Sequence, residues 1–242
     1  MAVRYWARCL VLVFLCGTLA LIVYYESGMW NNSFEDFMDS QSFGVRFLFA
    51  SIGVIISIFW ERFARGVAIL SPFRILARGP TTASRSILLT PPIDATTGIW
   101  AGIRRRDFFL VVAASSAFMS EFLPMLLANV PASSVTTKVA NEACSRTAVI
   151  ILGWMILVLL GSFFIRWPKM PADPTTILGM MYYICDPLII EKFEGMSTME
   201  KKERNTRVRK MGLKYKFGEI MDIPGRKRIG VYIVEDNTSQ PV

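Results

Sequence analysis

The sequence has 242 residues, 53% of them hydrophobic and 19% charged, with a formal charge of +8 and a mean hydropathy of +0.42. A soluble domain usually carries about 25% charged residues, so the balance is shifted toward lipid. Histidine is absent, which excludes Ser-His-Asp and Cys-His nucleophile pairs, HExxH zinc sites and histidine-ligated haem together.

The first apolar run, Cys9 to Tyr25, reads CLVLVFLCGTLALIVYY and follows Arg4 and Arg8. Two readings fit it, a retained anchor and a cleaved signal peptide. The apolar stretch continues through Tyr24 and Tyr25 with no clean small-x-small site after it, which favours the anchor. Glu26, Glu35, Asp36 and Asp39 follow without a Lys or Arg, and Asn31-Asn32-Ser33 is a glycosylation sequon.

The second run, Gly44 to Trp60, reads GVRFLFASIGVIISIFW. Beyond it, Ser71-Pro72 has the form of an N-cap with proline at the first helical position, and Gly79-Pro80 that of a stop. The helix of span two is expected to fray before Ser71. Between these signals Phe73, Leu76 and Ala77 share one face, and Arg74 and Arg78 another. Such a segment beside a membrane is expected to lie in the interface, guanidinium groups toward lipid phosphates. Farther on, Thr97 is read as capping a helix that carries Ile99, Trp100 and Ile103 and runs into the third run. Arg104, Arg105 and Arg106 would mark its water exit.

The third run, Phe108 to Val130, reads FFLVVAASSAFMSEFLPMLLANV, and the fourth, Thr147 to Trp167, TAVIILGWMILVLLGSFFIRW. Each of the four runs is long enough to cross a hydrocarbon core of ~30 Å at about 1.5 Å per residue, and each is apolar all round. Soluble core helices are the competing reading, disfavoured by the presence of four such runs. Glu121 is the one acid deep in an apolar run, and a carboxylate there is a functional candidate. The competing reading places it near the outer interface or protonated against a neighbouring helix. Pro124 is expected to kink this run and free a carbonyl. Gly153 and Gly161, with Ala148 and Ser162, allow close helix approach in the fourth run.

Asp173 is read as the cap and Pro174 as the start of a helix ending at Asp186-Pro187, too short to span. Leu178, Met181, Tyr182 and Cys185 form its apolar stripe. Ser197-x-x-Glu200 is a capping box and Gly212 a stop. Between them lie Lys201, Lys202, Arg204, Arg207, Arg209 and Lys210, read as a solvated helix or one drawn to an anionic leaflet. LKYKFGEI and RIGVYIVE flank a Pro-Gly turn and predict a β-hairpin.

Charge orients the runs. The loop after the second carries Arg62, Arg65, Arg74, Arg78, Arg85 and Arg104 to Arg106, the loop near Lys138 is almost neutral, and Arg166 and Lys169 follow the fourth. The positive-inside rule then puts both termini in the cytoplasm. Trp60, Trp100 and Trp167 fall near the predicted cytoplasmic edges. Cys9 and Cys16 lie in span one, Cys144 faces outside and Cys185 inside, so neither a disulfide framework nor a metal cluster is expected.

The order of pieces SPFRIL with Gly-Pro, SRSILLTPP, GIWAGIRRRDFFLVVAASSAF, RWPKMPADPTTILGMMYYI, YKFGE and RIGVYIVE resembles a family of fungal multi-pass integral membrane proteins whose shared domain has no known function. The resemblance covers roughly residues 44–235. It implies a short or partial member, since such proteins repeat the unit, and it supplies no activity and no catalytic residues.

The sequence therefore predicts an all-α membrane protein, a four-transmembrane-helix bundle with interfacial amphipathic helices and a small C-terminal β-hairpin. Residues 1–25 form the anchor and 26–43 a short extracytoplasmic loop. Residues 44–190 form the membrane domain, with spans near 44–61, 108–130 and 147–167 and an interfacial helix at 174–185. Residues 191–242 form a basic cytoplasmic tail. The expected role is non-enzymatic, a structural or complex-forming component of the plasma membrane or an endomembrane. The expected partners are an anionic inner leaflet, met by Arg62, Arg65, Arg74, Arg78 and Arg104 to Arg106, and other membrane proteins. No nucleic acid, cofactor or metal is expected, and Asn31 is the glycosylation candidate. The first alternative is a transporter or channel subunit using Glu121. The second is a lipid-modifying enzyme, which would need Asp94 or Asp107 as base.

Overall fold

The computed structural model describes residues 5–26, 43–90, 92, 94–130, 138–165, 167–168, 170–174, 176–184, 187–196, 198–221 and 227–234. Asn31, Arg166, Lys169, Cys185, Asp186 and Ser197 lie outside them. The helices are α1 (Tyr5–Glu26), α2 (Phe43–Arg78), α3 (Ala95–Arg105), α4 (Phe108–Ser120), α5 (Leu123–Ala128), α6 (Lys138–Phe164), α7 (Ile177–Ile184), α8 (Pro187–Phe193) and α9 (Lys201–Lys210). The strands are β1 (Thr81–Thr82), β2 (Lys214–Met221) and β3 (Lys227–Val234). Four stretches are long and apolar enough to cross a membrane: Tyr5–Glu26, Phe43–Arg78, Phe108–Ala128 and Glu142–Phe164.

The chain forms two compact units, Met1–Val67 with Pro92–Arg166, and Ala68–Pro91 with Trp167–Val242. Residues 68–91 and 167–190, read from the sequence as part of a membrane domain over 44–190, cluster with residues 191–242. The reason is burial, because Phe73, Leu76, Ala83 and Tyr183 share a core with Tyr215, Phe217, Val231 and Ile233 of the strands.

In the first unit α1 packs on α6, with Leu15, Thr18 and Ile22 of α1 buried. Trp60 is fully buried and meets the Phe63 ring edge-on at 5.4 Å. Two glycines set the close approaches. A Cβ on Gly53 of α2 would stand 2.6 Å from Pro124 Cα, and one on Gly102 of α3 would stand 2.9 Å from Val111 N. Gly153 and Gly161, chosen from the sequence for close packing, have nothing within 4 Å of that position.

The α3 helix does not run on into the third span. Its N-cap is Asp94, whose backbone N–H donates to Thr97 Oγ1 at 3.0 Å, so Thr97 is the partner within a capping box rather than the cap. The helix ends at Arg106, in the left-handed region at φ 55°. There the Asp107 N–H reaches back to the Gly102 carbonyl at 3.0 Å and the Arg106 N–H to Ile103 at 3.1 Å, the two bonds of a Schellman turn. The chain reverses and α4 returns along the Gly98–Gly102 face.

In the second unit, β2 lies between β1 and β3, all antiparallel, so the expected hairpin is a three-stranded sheet. The rings of Phe73, Tyr183 and Phe217 meet pairwise at 5.6 to 5.8 Å. They explain why α2 continues through Ser71-Pro72 instead of restarting there. Pro72 denies the Ala68 carbonyl its donor, a penalty of about 3 kcal/mol in a helix interior. Burial of Phe73 and Leu76 at about 1.5–3 kcal/mol each offsets it. Phe73 and Leu76 are thus covered by protein rather than lipid. The helix still stops at Gly79-Pro80, as predicted.

Two further caps shift. Thr176 starts α7, accepting the Gly179 N–H at 3.0 Å, while the Asp173 carbonyl accepts the Thr176 N–H at 3.2 Å. Gly179 and Tyr183 of α7 are buried, and Leu178, Met181 and Tyr182 face outward. Pro187 opens α8. The tail helix begins at Lys201 with Glu200 as N-cap, later than the Ser197 box implied. Gly212 stops it at φ 63°.

Candidate functional site

Span three is two helices. The α4 helix ends at Ser120, α5 begins at Leu123, and Glu121 and Phe122 form the turn between them. Tight i to i−3 bonds close it, Glu121 N–H to Phe118 at 3.3 Å and Phe122 N–H to Met119 at 3.2 Å. Pro124 has no N–H to offer the Ser120 carbonyl, so the freed carbonyl expected from the sequence lies beside Glu121.

The two faces of the break differ. Ser116, Ser120, Leu123 and Leu127 are buried. The Ser120 hydroxyl donates to the Ala117 carbonyl at 2.6 Å, and Ser116 donates to Val112 at 2.9 Å while accepting the Trp154 indole N–H at 3.1 Å. Glu121 is on the other side, exposed among Phe118, Phe122 and Met125. Phe118 and Phe122 meet edge-on at 5.4 Å. Among the described residues the Glu121 carboxylate meets no hydrogen-bond donor and no cation.

Gly53 fixes what stands beside this break. That glycine is about midway along the apolar run 44–60, and its backbone abuts Leu123 and Pro124. Glu121 is one turn nearer Phe108 than Pro124 is, inside the stretch Phe108–Ala128 that is long and apolar enough to cross a membrane.

The seven arginines divide between the units. Arg62 and Arg65 are exposed on α2, with Arg65 paired to Glu61 at 2.5 Å. Arg104 in the last turn of α3 and Arg106 at the reversal after it are exposed, and Arg105 between them is half-buried. Burial lowers the Arg105 pKa, and the neighbouring Asp107 carboxylate opposes that shift. In the other unit Arg78 is exposed and Arg74 is buried. Asp94 is exposed at the start of α3 and Asp107 is buried at its far end, so the two acids considered as bases are at opposite ends of one helix.

A family model described as Protein of unknown function (DUF3433) matches residues 43–132. That segment holds α2 through α5, and with them Glu121 and all seven arginines. It supports the resemblance to a domain of unknown function over the first part of residues 44–235 and brings no activity with it. No curated protein and no solved structure matches the chain.

Sequence reasoning missed one polar site. Arg8 of α1 is buried, its guanidinium donating to the Ser162 carbonyl at 2.9 Å and lying 4.8 Å from the Phe163 ring centre. A lone arginine ahead of an apolar run reads as a topology signal, and only the facing helix shows it to be a clamp.

Proposed function

We propose that the chain is a non-enzymatic, complex-forming component of a membrane, spanning it four times with both termini in the cytoplasm. The observation that carries the reading is Glu121, outward-facing inside a span and unmet among the described residues. A carboxyl group in hydrocarbon is costly and is normally answered by a partner. Arg62, Arg65, Arg78, Arg104 and Arg106 face the anionic inner leaflet in this arrangement, and Arg74 serves by packing. The outward Leu178, Met181, Leu188 and Ile190 of α7 and α8 rest on the same leaflet.

The test is the native mass of the protein extracted from its own membrane. A species larger than the 27.3 kDa chain is expected, and a lone monomer would overturn the reading. Orientation has a separate test: Cys144 reacts with an impermeant thiol reagent on intact cells and Cys185 only after permeabilisation. The opposite pattern reverses the topology.

The broken helix favours a second reading, a transporter or channel subunit using Glu121, since interrupted spans hold substrate and ion sites in transporters. Proton-coupled flux in reconstituted vesicles that falls with Glu121→Gln would support it. Flux unaffected by the substitution, or none in the parent protein, counts against it.

A further inference from the structure

We infer that α7 and α8 of the sheet unit are inserted among the lipids of an anionic leaflet, an anchor of that unit separate from the arginines. The inference rests on the membrane-spanning part of the proposed function and takes it from contact with a leaflet to insertion below the headgroups.

Concentration of apolar surface is the first observation. Among the described residues of this unit, every exposed large apolar side chain except Ile87 is on α7 or α8. Leu178, Met181, Tyr182 and Ile184 project from α7, and Leu188 and Ile190 from α8. Behind them the helices are held by protein. Tyr183 and Ile189 enter the sheet core, and a Cβ on Gly230 of β3 would stand 3.1 Å from the Tyr183 carbonyl oxygen. The outward side is therefore an apolar face on a folded support, and such a face marks a binding surface.

The chemistry of the face selects lipid. The α7 helix, ILGMMYYI, carries no charged side chain, and α8 carries none before Glu191. A protein partner is ordinarily fixed in register by hydrogen bonds and a polar rim. Here Tyr182 brings the one polar group among the outward side chains of α7, and an amphipathic ring of that sort settles at headgroup level. At eight and seven residues the helices are too short to span, so they lie in the interface with the apolar side down.

Tethers and charge decide the occupant. The segment starting at Ala68 follows Trp60, the end of the second apolar run, by eight residues. The segment starting at Trp167 follows Phe164, the end of a stretch long and apolar enough to cross a membrane, by three. Thirteen residues separate Phe164 from Ile177, and a chain of that length reaches at most about 45 Å. A leaflet crossed by those stretches is thus always within reach of α7, at an effective concentration that a dissolved partner does not match. The unit is also basic. Residues 68–91 carry three Lys and Arg and no acid, and residues 167–242 carry thirteen against ten Asp and Glu, a net +6. Exposed Arg78, Arg85, Lys201 and Lys202 add attraction to an anionic surface.

The test uses the full-length chain with Cys9, Cys16, Cys144 and Cys185 replaced by serine, reconstituted into vesicles of phosphatidylcholine and phosphatidylserine. Single cysteines carry a polarity-sensitive fluorophore at Leu178→Cys, Met181→Cys, Leu188→Cys or Ile190→Cys, all exposed positions whose substitution leaves the core intact. Each is expected to emit as in an apolar medium and to lose fluorescence when the acyl chains are brominated. Lys202→Cys, on the exposed side of α9, is expected to lose fluorescence to iodide present on both sides of the vesicle instead.

Apolar emission that brominated lipid does not quench means that protein covers the face, either a second copy or another part of this chain, and overturns the inference. Polar emission quenched by iodide means that the face is bare and overturns it as well. Ile150→Cys, outward on α6, separates the two levels. Quenching by brominated lipid at Ile150 but at none of the four positions removes only the anchor. Its absence at Ile150 too removes the membrane-spanning reading beneath it.

Discussion

Arg8 of α1 and Ser162 of α6 are joined by a hydrogen bond of 2.9 Å from guanidinium to main-chain carbonyl, with a second, 3.3 Å contact to Ser162 Oγ. Ser162 is in the last turn of α6, where carbonyls have no donor from their own helix. A residue from another helix therefore completes the C-terminus of this one. Arg8→Met keeps an apolar stem but removes the donors, losing a charge-assisted hydrogen bond worth about 1–3 kcal/mol. Thermal unfolding in detergent should show the loss, with Arg8→Lys intermediate because an ammonium lacks the planar fork. An unchanged melting temperature for Arg8→Met would falsify the clamp.

The close approaches predict which glycines tolerate a methyl group. Gly53→Ala and Gly102→Ala drive a Cβ against the backbone of Pro124 and Val111 and should cost about 1–3 kcal/mol each. Gly17→Ala and Gly161→Ala enter open space and should be neutral or gain up to about 1 kcal/mol in helix propensity. Comparing the four melting temperatures checks this, and equal effects at all four positions would refute the packing described for α2 and α3.

Arg106 occupies a left-handed position, φ 55°, that glycine fills without strain. Arg106→Gly should raise stability by about 1 kcal/mol. If the guanidinium also holds lipid, the same variant should bind vesicles rich in anionic lipid less well than the parent. Reduced stability would mean that the side chain makes folded-state contacts worth more than the strain.

The two buried tyrosines of the sheet unit behave oppositely on mutation to Phe. The Tyr183 hydroxyl donates to the Ala172 carbonyl at 2.6 Å and accepts its N–H at 2.9 Å, whereas the Tyr215 hydroxyl is buried with no hydrogen-bond partner among the described residues. Tyr183→Phe should cost about 1 kcal/mol or more, and Tyr215→Phe should be neutral or stabilising by about as much. Burial raises the pKa of both phenols. Their contribution is therefore intact below the ordinary tyrosine value near ~10 and is lost as pH rises through the raised values. Alkaline unfolding followed by tyrosinate absorbance should begin above that point and be blunted in Tyr215→Phe. Onset near neutrality would contradict the assignment.

The four long apolar helices were legible because nothing distant decides them: about 20 apolar residues in a row are long enough to cross a bilayer whatever packs beside them. Local punctuation was less dependable. Gly79-Pro80 and Gly212 end their helices as read, since chain geometry alone is decisive there. Ser71-Pro72 carries an equally good start signal and is overruled by Tyr183 and Phe217, more than a hundred residues away in sequence. The Gly98–Gly102 face and the Arg8 clamp were invisible for the same reason: a glycine or an arginine does not announce what stands opposite. Glu121 stood out by its chemistry, but which way it faces depended on where α4 breaks.

The sheet unit is assembled from two separated pieces of chain, 68–91 and 167–242, with two spans between them. On the ribosome, Phe73, Leu76 and the short β1 strand emerge long before β2 and β3 exist to cover them. Throughout that interval the nascent protein exposes an aromatic surface and an unpaired strand edge, the features that recruit chaperones and invite aggregation. A product interrupted before β3 never closes that core, whatever the state of its spans. Quality control of this protein can thus be expected to wait for β3, the last strand needed before residues 68–91 can settle.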